Sequence, residues 1–137
     1  MTNPGQRQRP KRVLFICVEN CNRSQIAEAF ARMDGTGRVE AFSAGSRPAG
    51  RVHPKAVAAM QEIGYDITAH RSKGLAEVSD KEFDVAVTLG CGDDCSCIKA
   101  RSWEDWNTPC PKAMSPEQFR AVRDEIGEKV RGLLAGL

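Results

Sequence analysis

Residues 13–24, Val13-Leu14-Phe15-Ile16-Cys17-Val18-Glu19-Asn20-Cys21-Asn22-Arg23-Ser24, are the stretch around which the chain is organised. Four consecutive apolar residues read as a strand buried on both faces, and the run stops at a cysteine. Ile26, Ala27, Phe30 and Ala31 then recur at helical spacing. A strand, a short loop and a helix start aim backbone N–H groups and the helix dipole at one point above the sulfur. An oxyanion fits there, with Val18, Glu19, Asn20, Cys21, Asn22 and Arg23 as its candidate contacts. Arg23 lies six positions after Cys17, so a curled loop can return its planar guanidinium for bidentate contact with two oxygens. The same positive field favours the thiolate of Cys17, the nucleophilic form. A buried core cysteine before an ordinary turn is the plainer alternative. The arrangement of Cys, five residues, Arg and Ser between strand and helix favours function.

Outward from this loop, 137 residues with 41% hydrophobic content suit one domain with one ordinary core. The net charge is +2 and basic residues are interleaved with acidic ones, so no nucleic-acid footprint is expected; a small anionic substrate suits this balance. Residues 1–11 read as a flexible basic arm carrying Arg7, Arg9 and Lys11, and residues 12–137 as the folded domain. The arm has no apolar leader segment, and no apolar run reaches membrane-spanning length. A cytoplasmic monomer without membrane association is expected.

Along the chain, Val39-Glu40-Ala41-Phe42 is a second strand candidate, closed by turn residues between Gly45 and Gly50. His53-Pro54 starts a second helix, with His53 as punctuation, and Val57, Met60 and Ile63 share a face before Gly64. Tyr65 to Lys73 reads as a polar linker. Val85-Ala86-Val87-Thr88-Leu89 is a third buried strand, and it too ends at a cysteine-bearing loop, Gly90 to Cys97. A fourth strand is expected around Ile98 to Trp103. Ser115-Pro116-Glu117-Gln118 has the form of a capping box opening a helix with Phe119, Val122, Ile126, Val130, Leu133 and Leu134 on its apolar face. Strands alternating with helices imply an α/β fold: a three-layer α/β/α arrangement around a four-stranded, mainly parallel sheet. The carboxyl ends of its strands then bring the two cysteine loops face to face.

Six cysteines without a secretory signal point to catalysis, redox exchange or metal binding rather than a structural disulfide framework. They fall into two groups, Cys17 with Cys21, and Cys91, Cys95, Cys97 with Cys110. A four-thiolate zinc site from the second group is one reading, but the single residue between Cys95 and Cys97 suits tetrahedral chelation poorly, so no metal is expected.

The stretches VLFICVENCNRSQIAEAF, FSAGS, HPKAVAAMQEIGYDITAHRSK and VTLGCGDDC together resemble the low-molecular-weight protein tyrosine phosphatase superfamily, and within it the arsenate reductases recycled by thiol exchange. The resemblance implies a fold of that type and thiol-dependent reduction of arsenate to arsenite. It makes Cys17 the nucleophile, Asn20 the residue that orders the loop, Arg23 the oxyanion holder and Ser24 the hydrogen-bond partner of the thiolate. It makes Cys91 the second thiol and Cys95, or Cys97, the resolving one, with thioredoxin, or glutaredoxin or a low-molecular-weight thiol, as reductant. It implies no organic cofactor, and a structural potassium or sodium ion at Asn20, Glu28, Ser43 and Asp66. Gln25 resembles the reductases, where phosphatases usually carry proline. Cys110 stands where phosphatases carry the Asp that protonates a phenolate leaving group, a departure that weighs against ester hydrolysis. Glu104 and Asp105 are the nearby substitutes. The alternatives are a tyrosine phosphatase, and a zinc-binding or non-catalytic oxyanion-sensing module.

Overall fold

The computed structural model describes residues 10–89, 97–108 and 114–137. Four strands, β1 (Lys11–Cys17), β2 (Val39–Gly45), β3 (Glu82–Thr88) and β4 (Lys99–Asp105), form one sheet in the order β2-β1-β3-β4. Every pairing is parallel. Val13 to Ile16 are fully buried, as expected of a central strand covered on both faces. The sheet begins at Lys11, one residue inside the expected arm, because Lys11 N–H donates to the Arg38 carbonyl at 3.0 Å. β2 runs on to Gly45 and β4 to Asp105, beyond the segments their side-chain patterns suggest. In both, pairing with a neighbouring strand outweighs weak alternation.

Helices α1 (Arg23–Asp34), α2 (Pro54–Gln61) and α3 (Pro116–Ala135) contribute to one core with Val13, Phe15, Val85 and Val87. The opposite core gathers Leu14, Ile16, Ala44 and Ala86 under Leu75, Val78 and Ile98, with a 3₁₀ turn at Leu75–Glu77 as part of the cover. Burying a side chain such as Phe15 is worth about 2–3 kcal/mol, so these two clusters supply the main driving force. α3 starts as its capping box predicts: Ser115 Oγ accepts from Gln118 N–H, and Ser115 N–H donates back to Gln118 Oε1. His53 caps α2 by accepting from Lys55 N–H. Gly127 in α3 answers to packing, since a Cβ there would lie 2.8 Å from the Phe30 ring.

Strand order places the site. β1 leads to β2 on one side and lies beside β3 on the other, so the chain switches direction at the carboxyl end of β1. Cys17 stands there, paired with Gly45, while Leu89 N–H donates to the Ile16 carbonyl. No described helix is long and apolar enough to cross a membrane.

Candidate functional site

α1 is buried almost all round its first two turns, including the polar residues Arg23, Ser24, Gln25 and Glu28. A helix start with so many buried polar groups must satisfy them locally. Cys17 Sγ lies 2.9 Å from Ser24 Oγ, which also accepts from Asn20 Nδ2 at 2.7 Å. Asn20 has a positive φ of 50°, a conformation that Asn tolerates better than most residues. Its Oδ1 accepts from Gln25 Nε2 at 3.0 Å and from Lys73 N–H at 2.9 Å.

The loop backbone is held from outside. The carbonyl of Val18 accepts from Arg47 N–H, that of Glu19 from Ala49 N–H and Ser72 Oγ, and that of Cys21 from His53 N–H. Across a trans peptide the next N–H points the opposite way, and the described chain has no cis bond. The N–H groups of Glu19, Asn20 and Asn22 are therefore turned away from those outer donors, as an anion-binding loop requires. Gly45 permits this packing: a Cβ there would lie 2.5 Å from the Val18 carbonyl oxygen and 2.7 Å from that of Cys17.

Arg23 is buried, and its Nη1 donates to the Thr108 carbonyl at 2.7 Å. That carbonyl follows a turn in which Asn107 has a φ of 28°, Asp105 Oδ1 accepts from Asn107 N–H, and Thr108 Oγ1 donates to the Trp106 carbonyl. Glu104 and Asp105, the suggested substitutes for a general acid, have structural partners: Glu104 Oε1 accepts from the Trp106 indole, and Asp105 also accepts from Thr88 Oγ1. Asn22 lies at the cap position of α1 yet makes no capping bond. Its buried Oδ1 and Nδ2 find no partner among the described residues. A buried amide beside an anion loop can donate through Nδ2 to a ligand oxygen.

The sequence reading of Tyr65 to Lys73 as a polar linker is corrected. This segment is a strap that shapes the loop: Arg71 O accepts from Gln25 Nε2, Ser72 Oγ donates to Glu19 O, Lys73 N–H binds Asn20, and Gly45 N–H donates to Lys73 O. His70 Nδ1 lies 3.0 Å from Gln25 Oε1. Much of this work is done by backbone groups, which no residue pattern announces.

Asn20, Glu28 and Ser43 do gather near the loop, and Ser43 Oγ donates to Glu28 Oε1. Asp66 does not complete an alkali-cation cage: it is exposed, and its Oδ1 accepts from Thr68 N–H and Oγ1. Cationic groups of the chain face Glu28 instead. Arg32 Nε is 2.7 Å from its carboxylate and Lys73 Nζ is 3.9 Å away. The donor set thus fits an internally neutralised carboxylate better than a bound potassium or sodium ion.

Cys21 is buried within the loop and Cys97 is exposed just before β4. Cys91, Cys95 and Cys110 lie outside the described residues, and so does the bulk of the alternative zinc site. No group of three metal-ligating side chains occurs among the described residues. Cavities of about 310, 210 and 470 Å³ lie elsewhere on the molecule, and none of these three is lined by residues 17–24.

A family model described as low molecular weight phosphotyrosine protein phosphatase matches residues 12–137. The glutaredoxin arsenate reductase of Synechocystis is 38% identical over 128 residues, covering 91% of this chain and 97% of that protein. A solved structure of an arsenate reductase in its phosphate-binding state superposes with a TM-score of 0.82 at 37% identity, covering 92% of this chain and 98% of that one. The thioredoxin-dependent arsenate reductase of Corynebacterium glutamicum superposes with a TM-score of 0.73 at 32% identity, covering 96% of this chain and 64% of that one. The chain belongs to the low molecular weight phosphotyrosine protein phosphatase family, and within that family it stands with the arsenate reductases.

Proposed function

We propose that the protein reduces arsenate to arsenite, with Cys17 as nucleophile and the second cysteine group as its source of electrons. The observation that carries this reading is Cys17 Sγ held 2.9 Å from Ser24 Oγ, in a loop closed by the buried Arg23. The relatives named as arsenate reductases support it. Arg23, the loop N–H groups and the Asn22 amide hold the tetrahedral oxyanion. The Cys17 thiolate attacks arsenic(V), an As–O bond breaks and water leaves, forming an S–As bond. A second thiolate, assigned to Cys91, attacks Cys17 Sγ. The S–As bond breaks with its electron pair passing to arsenic, which departs as arsenite while a Cys17–Cys91 disulfide forms. Cys95, or Cys97, then attacks Cys91 and frees Cys17. A dithiol reductant returns the remaining disulfide to two thiols.

For that last step, the name of the Synechocystis relative supports glutaredoxin, and that of the Corynebacterium one supports thioredoxin. Neutralisation of Glu28 by Arg32 and Lys73 leads us to assign no alkali cation to the cycle.

The test is arsenate turnover with thioredoxin and its reductase, beside glutaredoxin with glutathione, and beside hydrolysis of an aryl phosphate. Arsenate turnover with one of the two systems is expected, abolished in Cys17→Ser, stopped before arsenite release in Cys91→Ser and largely retained in Cys110→Ser. Efficient aryl phosphate hydrolysis with no arsenate turnover under either reductant contradicts the assignment. Stoichiometric zinc in protein purified without chelator would give the second cysteine group a different role.

A further inference from the structure

Gln25 Nε2 lies 3.1 Å from Asn20 O, 3.0 Å from Asn20 Oδ1 and 3.1 Å from Arg71 O. Two of these are backbone carbonyls, which only accept, so the amide orientation is fixed with nitrogen on this side. Gln25 Oε1 must then face His70 Nδ1 at 3.0 Å, and because an amide oxygen accepts, that nitrogen carries the proton. Burial pushes the His70 pKa down, partly countered by Glu28, so the ring is neutral near pH 7 and Nε2 has a lone pair. Tyr65 OH lies 2.9 Å from that Nε2. Burial raises the Tyr65 pKa, and the phenol keeps its proton.

The direction continues beyond Gln25. Asn20 Oδ1 is committed to accepting from Gln25 and Lys73, which turns Asn20 Nδ2 onto Ser24 Oγ. Ser24 Oγ receives that bond and lies 2.9 Å from Cys17 Sγ, and with Cys17 as the thiolate the Ser24 hydroxyl is the donor of that contact.

From this geometry we infer that Tyr65 and His70 are positioning residues for Cys17: they head a one-way donor chain, Tyr65 to His70 to Gln25 to Asn20 to Ser24, that ends on the sulfur. Donors aligned in one direction polarise one another, so each bond strengthens the next and the last one favours the reactive anionic sulfur. The charged groups around His70 are Glu28, 3.8 Å from Nδ1, together with Arg32, Lys73 and Asp66. None of them breaks the sequence of donors. The inference rests on Cys17 being the reactive thiol, but it does not depend on arsenate being the substrate.

Its test is the rate of Cys17 alkylation by iodoacetamide in the fully reduced protein, followed by peptide mass at pH 6.5 and pH 9.5. Removing a hydrogen bond worth about 0.5–1.5 kcal/mol corresponds to roughly two- to tenfold in rate. Tyr65→Phe is expected near the low end of that loss at pH 6.5 and His70→Leu near the high end, with both matching the unaltered protein at pH 9.5. His70→Gln retains a donor for Gln25 and is expected to recover most of the rate. Unchanged alkylation at pH 6.5 in Tyr65→Phe and His70→Leu overturns the inference. So does an equal loss at both pH values, which would mean a disordered loop. If His70→Leu does not fold, Tyr65→Phe decides by itself, because its hydroxyl lies at the outer end of the chain. Failed arsenate turnover beside the expected alkylation pattern would overturn the proposed reaction and leave this inference standing.

Discussion

Arg23 Nη1 donates to the carbonyl oxygen of Thr108 at 2.7 Å, so the loop guanidinium is aimed from the far side of the site by the turn that follows β4. One nitrogen of the fork is spent on the protein, which fixes the plane of the rest for an oxyanion. Arg23→Lys keeps a positive charge but loses that planar fork. Loss of kcat/KM for arsenate on the order of a hundredfold is expected, with phosphate binding by calorimetry weakened in parallel. Similar kinetics in the two proteins would show that charge alone suffices.

Asn22 presents the opposite case, a buried amide with no partner among the described residues. Leaving such a group unsatisfied costs about 1–3 kcal/mol. Asn22→Ala is expected to unfold at the same temperature or higher without oxyanion, and to bind phosphate roughly fivefold more weakly. A lower unfolding temperature with unchanged phosphate affinity would make Asn22 a structural residue.

Gly45 allows the end of β2 to approach the loop, where a Cβ would come within 2.5 Å of the Val18 carbonyl oxygen. The Cys17 oxygen at 2.7 Å and the Asn20 nitrogen at 2.9 Å are nearly as close, and none of the three can yield cheaply, because all are backbone. Gly45→Ala is expected to cost about 1–3 kcal/mol in urea unfolding and to abolish phosphate binding. Wild-type stability and affinity would mean that the loop is softer than its hydrogen bonds imply.

His70 gives the protein an acid-sensitive contact. Its pKa is lowered, first by burial, so the unfolded chain binds the proton more readily than the folded one. The resulting stability is complete above the ordinary histidine value near 6.5 and is lost as pH falls through the depressed one. Urea unfolding at pH 8, 6.5 and 5 is expected to show that loss, and His70→Gln, which cannot titrate, is expected to flatten it. Identical pH profiles for the two proteins would remove His70 from the account.

The part of this architecture carried by side-chain pattern was legible in the sequence. Val13 to Ile16 announced a central strand, Ser115 to Gln118 announced the start of α3, and Cys17 to Ser24 announced the loop. The strap was not legible, because Arg71 and Lys73 act through a backbone carbonyl and N–H, across separations of 46 and 53 residues to Gln25 and Asn20. The partners of Glu28 were not legible for a related reason: Asp66 accepts within its own 3₁₀ turn, and Lys73 Nζ lies 3.9 Å from the carboxylate. Likewise, nothing local to Thr108 signals that its carbonyl orients Arg23.

The most direct measurement is a single turnover without external reductant: fully reduced protein is mixed with one equivalent of arsenate, and arsenite and free thiols are counted. One arsenite per protein and the loss of two thiols are expected, with Cys17 recovered in a disulfide unless the resolving thiol has already released it. Cys17→Ser is expected to yield none. Unchanged thiols and no arsenite, in protein whose Cys17 still alkylates and which still binds phosphate, would contradict the proposal that this loop passes electrons to arsenic.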